Sequence, residues 1–249
     1  MGATEWIAIA DPHLGARPGD LAAVTQLILS LDPARQELIF LGDLFHIWAG
    51  PERFHTDEVK ALMATLWAFR ERGGSSRLVV GNRDAFFKEV QVGEPPYQGL
   101  PFARIAQDFD RIETPQGLLL CTHGDLVNQE DRAYLRWRKV IRSRVFRWAF
   151  ELMPKAWAKK LMFGLEAKLR ESNLNYKMSF PTEQWENWTR QLAAQERPKL
   201  VLVGHFHPSE PIDQSIESGH AVVVPGWLEG CRYLKIHADL SYETLAAAN

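Results

Sequence analysis

Trp6-Ile7-Ala8-Ile9-Ala10-Asp11-Pro12-His13 is the stretch on which the reading of this chain turns. Five β-forming apolar residues, uninterrupted, stop on a carboxylate and then an imidazole. The arrangement recurs four times. Leu38 to Leu41 runs into Gly42-Asp43, and Leu78 to Val80 into Gly81-Asn82-Arg83-Asp84. Leu118 to Thr122 runs into His123-Gly124-Asp125, and Leu200 to Val203 into Gly204-His205-Phe206-His207. Strands that end five times in metal-ligand residue types imply carboxylate, amide and imidazole groups collected at one edge of a sheet. A protein without thiolate ligands holds a pair of divalent metals in this way.

Between the motifs, strands alternate with helices. Asp20 to Leu31 reads as a helix with Asp20 as its N-cap, because Leu21, Val24, Leu27, Ile28 and Leu31 recur at helical spacing. Asp57 to Arg72 repeats the pattern through Val59, Leu62, Met63, Leu66 and Phe69, and Gly73-Gly74 stop it. Strand, loop, helix, strand is the βαβ unit of a sheet with helices on its faces, so the fold class is α/β. Phe109 to Thr114 and Leu118 to Thr122, joined by Pro115-Gln116-Gly117, predict a hairpin. Thr182 to Gln195 predicts a further helix, and Ala221 to Val224 and Tyr233 to Ile236 the last strands.

At 249 residues the chain suits one large domain, 1–249, with an insertion. Its two cysteines, Cys121 and Cys231, make no disulfide framework and point weakly to a reducing, cytoplasmic setting. The amino terminus lacks the basic start of a secretion signal, and no stretch approaches the ~20 apolar residues of a membrane span. Charge is distributed unevenly. Residues 132–170 carry twelve Lys and Arg against Glu151 and Glu166, while the whole chain has a net charge of −2. This basic segment lies in a helical insertion, 131–180, between the fourth and fifth motifs. Tyr134, Trp137, Ile141, Val145, Trp148 and Leu152 form one apolar stripe, with Arg136, Lys139, Arg142 and Arg147 off it. Pro154 ends that run, and Trp157, Leu161, Leu165 and Leu169 begin a second stripe. Two readings stand: a helical hairpin packed by its stripes with solvated basic residues, or an interfacial element resting on anionic lipid. Nucleic acid would match the charge, but no RNA- or DNA-binding motif accompanies it.

Asp, His and Asn donors without Cys suit Mn²⁺ first, with Fe or Zn²⁺ as alternatives, and the imidazoles argue against Mg²⁺ alone. The five motifs in this order, spanning residues 11 to 207, resemble the calcineurin-like metallophosphoesterase superfamily. That resemblance implies a four-layer sandwich of two mixed β-sheets flanked by helices, with a dinuclear metal site above the strand ends. It implies Asp11, His13 and His207 on one metal, Asn82, His123 and His205 on the other, and Asp43 bridging both. Gly42-Asp43-Leu44-Phe45 followed by Trp48, Gly81-Asn82-Arg83-Asp84, and His123-Gly124-Asp125 with Asp131 and Tyr134 downstream are similar to the UDP-2,3-diacylglucosamine pyrophosphatases of lipid A biosynthesis. Pro12 and His46 depart from that pattern. In that family a helical lid at the position of the insertion shelters acyl chains. The implied substrate contacts are Arg83, Asp131, Tyr134 and Lys177, with Asp84 and Asp125 behind the ligands.

Chemistry gives Arg83 separate weight. Two divalent ions acidify a water between them and neutralise phosphoryl oxygens as charge shifts. In many superfamily members a His after the motif Asn can protonate an alkoxide leaving group, but an Arg cannot give up its proton. A phosphate monoester leaving group, with a second pKa of ~6, needs none. Asn82 and Arg83 therefore become the catalytic candidates, with Arg83 gripping phosphate oxygens or, alternatively, paired with Asp84. The expectation is a phosphoanhydride hydrolase acting on a nucleotide-linked lipid, cytoplasmic and peripheral to the membrane. Alternatives are a hydrolase of soluble phosphodiesters or nucleotides, and a non-catalytic scaffold on the same fold.

Overall fold

The computed structural model describes residues 4–46, 48, 50–84, 86–94, 99–154, 157, 164 and 180–247. In the first sheet, β1 (Glu5–Ile9), β2 (Gln36–Phe40), β3 (Ser75–Val79) and β4 (Arg104–Ala106) run parallel. The antiparallel β10 (Arg232–Ile236) and β11 (Tyr242–Ala246) complete it in the order β11-β10-β1-β2-β3-β4. The second sheet has β5 (Phe109–Thr114), β6 (Gly117–Thr122), β7 (Leu200–Val203), β8 (Ile212–Ile216) and β9 (Gly219–Val223), ordered β5-β6-β7-β9-β8. Here β6, β7 and β9 are parallel and the two outer strands antiparallel. Both sheets are mixed, as expected.

Residue alternation explains why the sheets stack. In β1, Ile7 and Ile9 face one way, toward Val24, Ile28, Leu62 and Leu66 of helices α1 (Asp20–Ser30) and α2 (Asp57–Glu71). Trp6 and Ala8 face the other way, into a layer with Ile39, Leu119, Cys121, Leu202 and Val222 that joins sheet to sheet. Leu120, Val201, Val203 and Val223 cover the far side of the second sheet against Trp185, Trp188 and Leu192 of α5 (Thr182–Glu196). Four layers result, helix–sheet–sheet–helix. Each fully buried Val, Leu or Ile in them contributes roughly 1.5–3 kcal/mol of transfer free energy. Parallel strands end at the same edge, so the loops after β1, β2 and β3 and those after β6 and β7 meet across the sandwich.

Three local expectations are corrected. The N-cap of α1 is Gly19, at φ 94°, and not Asp20, whose buried carboxylate is held by Arg17 inside the first turn. The insertion does not run as one helix to Pro154. It breaks after Arg142, where Ser143 turns extended and accepts from Phe146 N, giving α3 (Arg132–Ile141) and α4 (Arg144–Glu151). The break resets the helical phase. Phe150 turns inward, 4.5 Å from the Phe86 ring, while Val145, Trp148 and Leu152 of the expected packing stripe are 75%, 64% and 65% exposed. Arg142 and Arg147, expected outside, turn inward instead and donate to main-chain carbonyls. Leu161, Leu165, Leu169 and Lys177 lie outside the described residues. Strands β4, β8 and β11 have no strong apolar run and were not anticipated; only pairing with neighbours makes them strands. Among the described residues no helix is long and apolar enough to cross a membrane.

Candidate active site

At the shared edge the backbone adopts conformations that side chains other than Gly rarely tolerate. Eight described residues other than Gly have positive φ, and five of them are Asp11, His13, Asp43, His205 and His207, at 43–72°. Left-handed backbone at such positions costs on the order of 1 kcal/mol or more each, and it concentrates where a site dictates side-chain direction. The motif glycines let these loops close on one another. A Cβ on Gly81 would fall 2.4 Å from both the main-chain nitrogen and Oδ1 of Asp43, and one on Gly42 would fall 2.4 Å from His123 Nδ1. Gly81→Ala is therefore expected to push the Asp43 loop aside and lower turnover by roughly a hundredfold, the scale of a 1 Å misplacement. Steady-state kinetics of the folded variant measure this, and unchanged turnover would show that the loops give way freely.

All seven residues expected at the metal pair come together. Asp11, Asp43, Asn82 and His123 are 0–3% exposed, and His13 is 4% exposed. On one side, His13 Nε2 and His207 Nε2 face each other at 3.4 Å, with Asp11 Oδ1 3.3 Å from the His207 nitrogen and Asp43 Oδ2 3.9 Å from that of His13. On the other side, His123 Nε2 has Asn82 Oδ1 at 2.9 Å, His205 Nδ1 at 3.2 Å and Asp43 Oδ1 at 3.7 Å. Asp43 thus turns one carboxylate oxygen to each group. Buried Asp11 Oδ1, His13 Nδ1, Asn82 Nδ2 and His207 Nδ1 have no hydrogen-bond partner. Of these, Asp11 Oδ1 is an acceptor among the ligand atoms, and unsatisfied buried polar atoms are rare because each costs about 1–3 kcal/mol. His13 Nε2 and His207 Nε2, aimed at each other, cannot both donate, and they make a donor set suited to a shared cation. The residues present fit two divalent ions.

The electrostatics agree for Asp11, His13 and His205, while His123, which burial would lower, is raised by facing Asp43, Asp11 and Asp125. Burial alone would raise Asp11, but facing His207, His123 and His13 hold it below the usual carboxylate range. Burial, with neighbouring Arg83 and His207, depresses His13 well below its ordinary value, and burial beside His123 brings His205 down to about 4. Ionised carboxylate beside neutral imidazole is the protonation state that cation binding requires. Asp43 is raised, chiefly by burial, against the pull of His123 and Arg83.

The supporting residues are arranged differently from the expectation that Asp84 and Asp125 orient ligand imidazoles. The imidazole of His123 is oriented by the Leu41 carbonyl, 2.8 Å from Nδ1, and Asp11 Oδ2 accepts from His205 N at 2.7 Å. Asp84 Oδ2 instead accepts from the amides of Gly81 and Leu44, tying two motif loops together; burial and nearby Asp43 push it up to about 7. Asp125 Oδ2 accepts from Tyr134 Oη at 2.5 Å and from Arg138 Nε at 2.8 Å, so it faces the insertion. Asp131 caps α3 through Tyr134 N. Arg83 lies against Asp43, its main-chain N donating to Oδ1 at 2.8 Å and its Nε 3.6 Å from Oδ2. Sequence reasoning missed Arg138 and Arg142. Their spacing from Tyr134, four and eight residues, was the available signal for a shared helix face.

The chain belongs to the calcineurin-like phosphoesterase family, whose model matches residues 7–229. Membership makes it a metal-dependent phosphoesterase of the hydrolase class. Among individual proteins, it is 26% identical to the UDP-2,3-diacylglucosamine hydrolase of Serratia proteamaculans (strain 568) across 93% of this chain and 94% of that protein. It is 28% identical to the enzyme of the same name from Xanthomonas axonopodis pv. citri (strain 306), across 96% and 98%. Among solved structures, a conserved uncharacterized protein of Streptococcus pneumoniae TIGR4, a predicted phosphoesterase, aligns over 98% of each chain at 13% identity and a TM-score of 0.43.

Proposed function

We propose that the chain hydrolyses the phosphoanhydride bond of UDP-2,3-diacylglucosamine, releasing UMP and 2,3-diacylglucosamine 1-phosphate, as a step of lipid A biosynthesis. The observation that carries this reading is the juxtaposition of Arg83 with Asp43 at the centre of the seven-residue cluster. It supports a reading in which a permanent cation, in place of a proton-donating His, stands next to the residues that would hold the metals. The names of relatives that match almost end to end support the choice of substrate.

Asp11, His13 and His207 would hold one divalent ion and Asn82, His123 and His205 the other, with Asp43 available to both. When bound, the ions, Mn²⁺ first and Fe or Zn²⁺ as alternatives, supply an acidified water and neutralise phosphoryl charge. The protein's part is placement. Arg83 offers a planar fork to phosphate oxygens and holds the phosphate-monoester leaving group without protonating it. Left-handed backbone at five ligand positions aims their side chains before any substrate arrives. Asp131, Tyr134 and Lys177 are the further substrate contacts that the family resemblance implies.

The insertion supports peripheral docking on an anionic, cytoplasmic membrane surface. Val140, Val145, Trp148, Leu152 and Trp157 are 51–75% exposed, and exposed Arg136, Lys139 and Arg144 accompany them. Bulky apolar residues beside cations match an interface where acyl boundary and anionic headgroups meet. Purified protein with Mn²⁺ should release UMP from the lipid substrate and co-sediment with phosphatidylglycerol vesicles in preference to oligonucleotides. Hydrolysis of soluble phosphodiesters with no UMP released would end the lipid assignment. Oligonucleotide binding in place of vesicle binding would end the membrane one.

A further inference from the structure

Helix α3 turns one face toward the candidate active site, and that face is polar. Tyr134, Arg138 and Arg142 stand at four-residue steps, so they lie in a row. The first two meet on Asp125, two residues beyond His123. Arg142 reaches further. Its Nη2 lies 3.2 Å from the carbonyl oxygens of both Val80 and Gly81, and its Nη1 donates to Gln107 O at 2.9 Å and reaches Asp108 Oδ1 at 3.3 Å. A peptide unit is planar, so holding the Gly81 carbonyl fixes the direction of the Asn82 amide and with it the start of the Asn82-Arg83 turn. The side chain is 11% exposed, and the carboxylate within ion-pair distance, Asp108, is 45% exposed, with buried Asp125 also acting on it. Burying a guanidinium largely on main-chain carbonyls is costly, and few other side chains could reach the Val80 and Gly81 carbonyls with one nitrogen while a second holds the Gln107 carbonyl.

We infer that Arg142 is a positioning residue: through the Val80 and Gly81 carbonyls it sets the aim of Asn82 and Arg83, and α3 carries that role from the insertion into the active site. Arg138 does the corresponding work on the loop of His123 through Asp125. This rests on the metal-dependent reading above, and it adds that the insertion is part of the catalytic framework as well as a cover or a docking surface.

Titrating metal-free protein with Mn²⁺ tests this without any substrate, using electron paramagnetic resonance to count free ion. The parent should bind two equivalents. Arg142→Lys keeps the charge but not the fork, so one equivalent, the one near Asn82, should weaken by about 10- to 100-fold, the usual cost of losing a residue that supports a ligand. Arg142→Gln should weaken it at least as much. Arg53→Ala is the comparison: Arg53 ties the end of α4 to the body through the Glu151 and Met153 carbonyls, away from the motifs, and should leave both equivalents intact. Thermal unfolding monitors the fold; if the Gln variant does not fold, the Lys variant decides. Parent-like binding by Arg142→Lys, or equal weakening by Arg53→Ala, overturns the inference alone. A parent that binds no Mn²⁺ overturns both this and the proposed function.

Discussion

Asp43→Ala should cost the protein both metal ions and, with them, at least ~10³-fold in kcat/KM, about 4 kcal/mol of transition-state stabilisation. The expectation follows from the two faces of its carboxylate: Oδ1 is 3.7 Å from His123 Nε2, and Oδ2 is 3.9 Å from His13 Nε2. Its carboxylate faces both groups, so truncation removes a donor from both sites at once. Loss of fold is not the expected route. The carboxylate is 1% exposed, is raised in pKa by burial and lies near ionised Asp11, so the metal-free protein gives up an unfavourable charge along with it. Metal content by mass spectrometry, turnover, and the unfolding midpoint without metal measure the three parts separately. Two ions retained, or activity within tenfold of the parent, would refute the bridging role.

Arg83→Ala should behave in the opposite way toward metal. Its contact with Asp43 has two parts, and only one belongs to the side chain. The main-chain nitrogen donates to Asp43 Oδ1 at 2.8 Å, and that bond survives truncation, so the loop and both ions should stay. The guanidinium, 10% exposed and 3.6 Å from Asp43, is what disappears. Removing one donor that stabilises transition-state charge typically costs 10²–10³ in kcat, and that range is expected here. Arg83→Lys should recover only part of it, because an ammonium offers a point charge where a fork is needed. Normal turnover by the alanine variant would show that phosphate is gripped elsewhere. The pair of variants separates holding the metals from handling the phosphate.

Much of the site was legible along the chain because the ligands sit where strands stop. A run such as Trp6 to Ala10 can only be a strand when followed by Asp11-Pro12-His13, and parallel strands must release their ends on one edge. Three such endings gather on the first sheet and two on the second, and the stacking of the sheets brings the two sets together. The insertion was less legible. Its apolar stripe from Tyr134 to Leu152 had helical spacing throughout, but Ser143 can cap a helix as readily as continue one, and only packing chose. That choice exposed Trp148 and buried Phe150. Asp20 misled for a similar reason: an acid at a helix start caps in many proteins, but here Arg17 reaches it first.

Local order in the sequence thus determined the α/β class and the strand ends, since these depend on residue type and period over a few positions, and the seven expected donors followed from the family resemblance of the five motifs. What only the tertiary structure decided is where long polar side chains go. Arg138 and Arg142 could have pointed to solvent on any isolated helix. They turn inward because the loops carrying Asp125 and Gly81, distant in sequence, present a carboxylate and main-chain carbonyls within their reach.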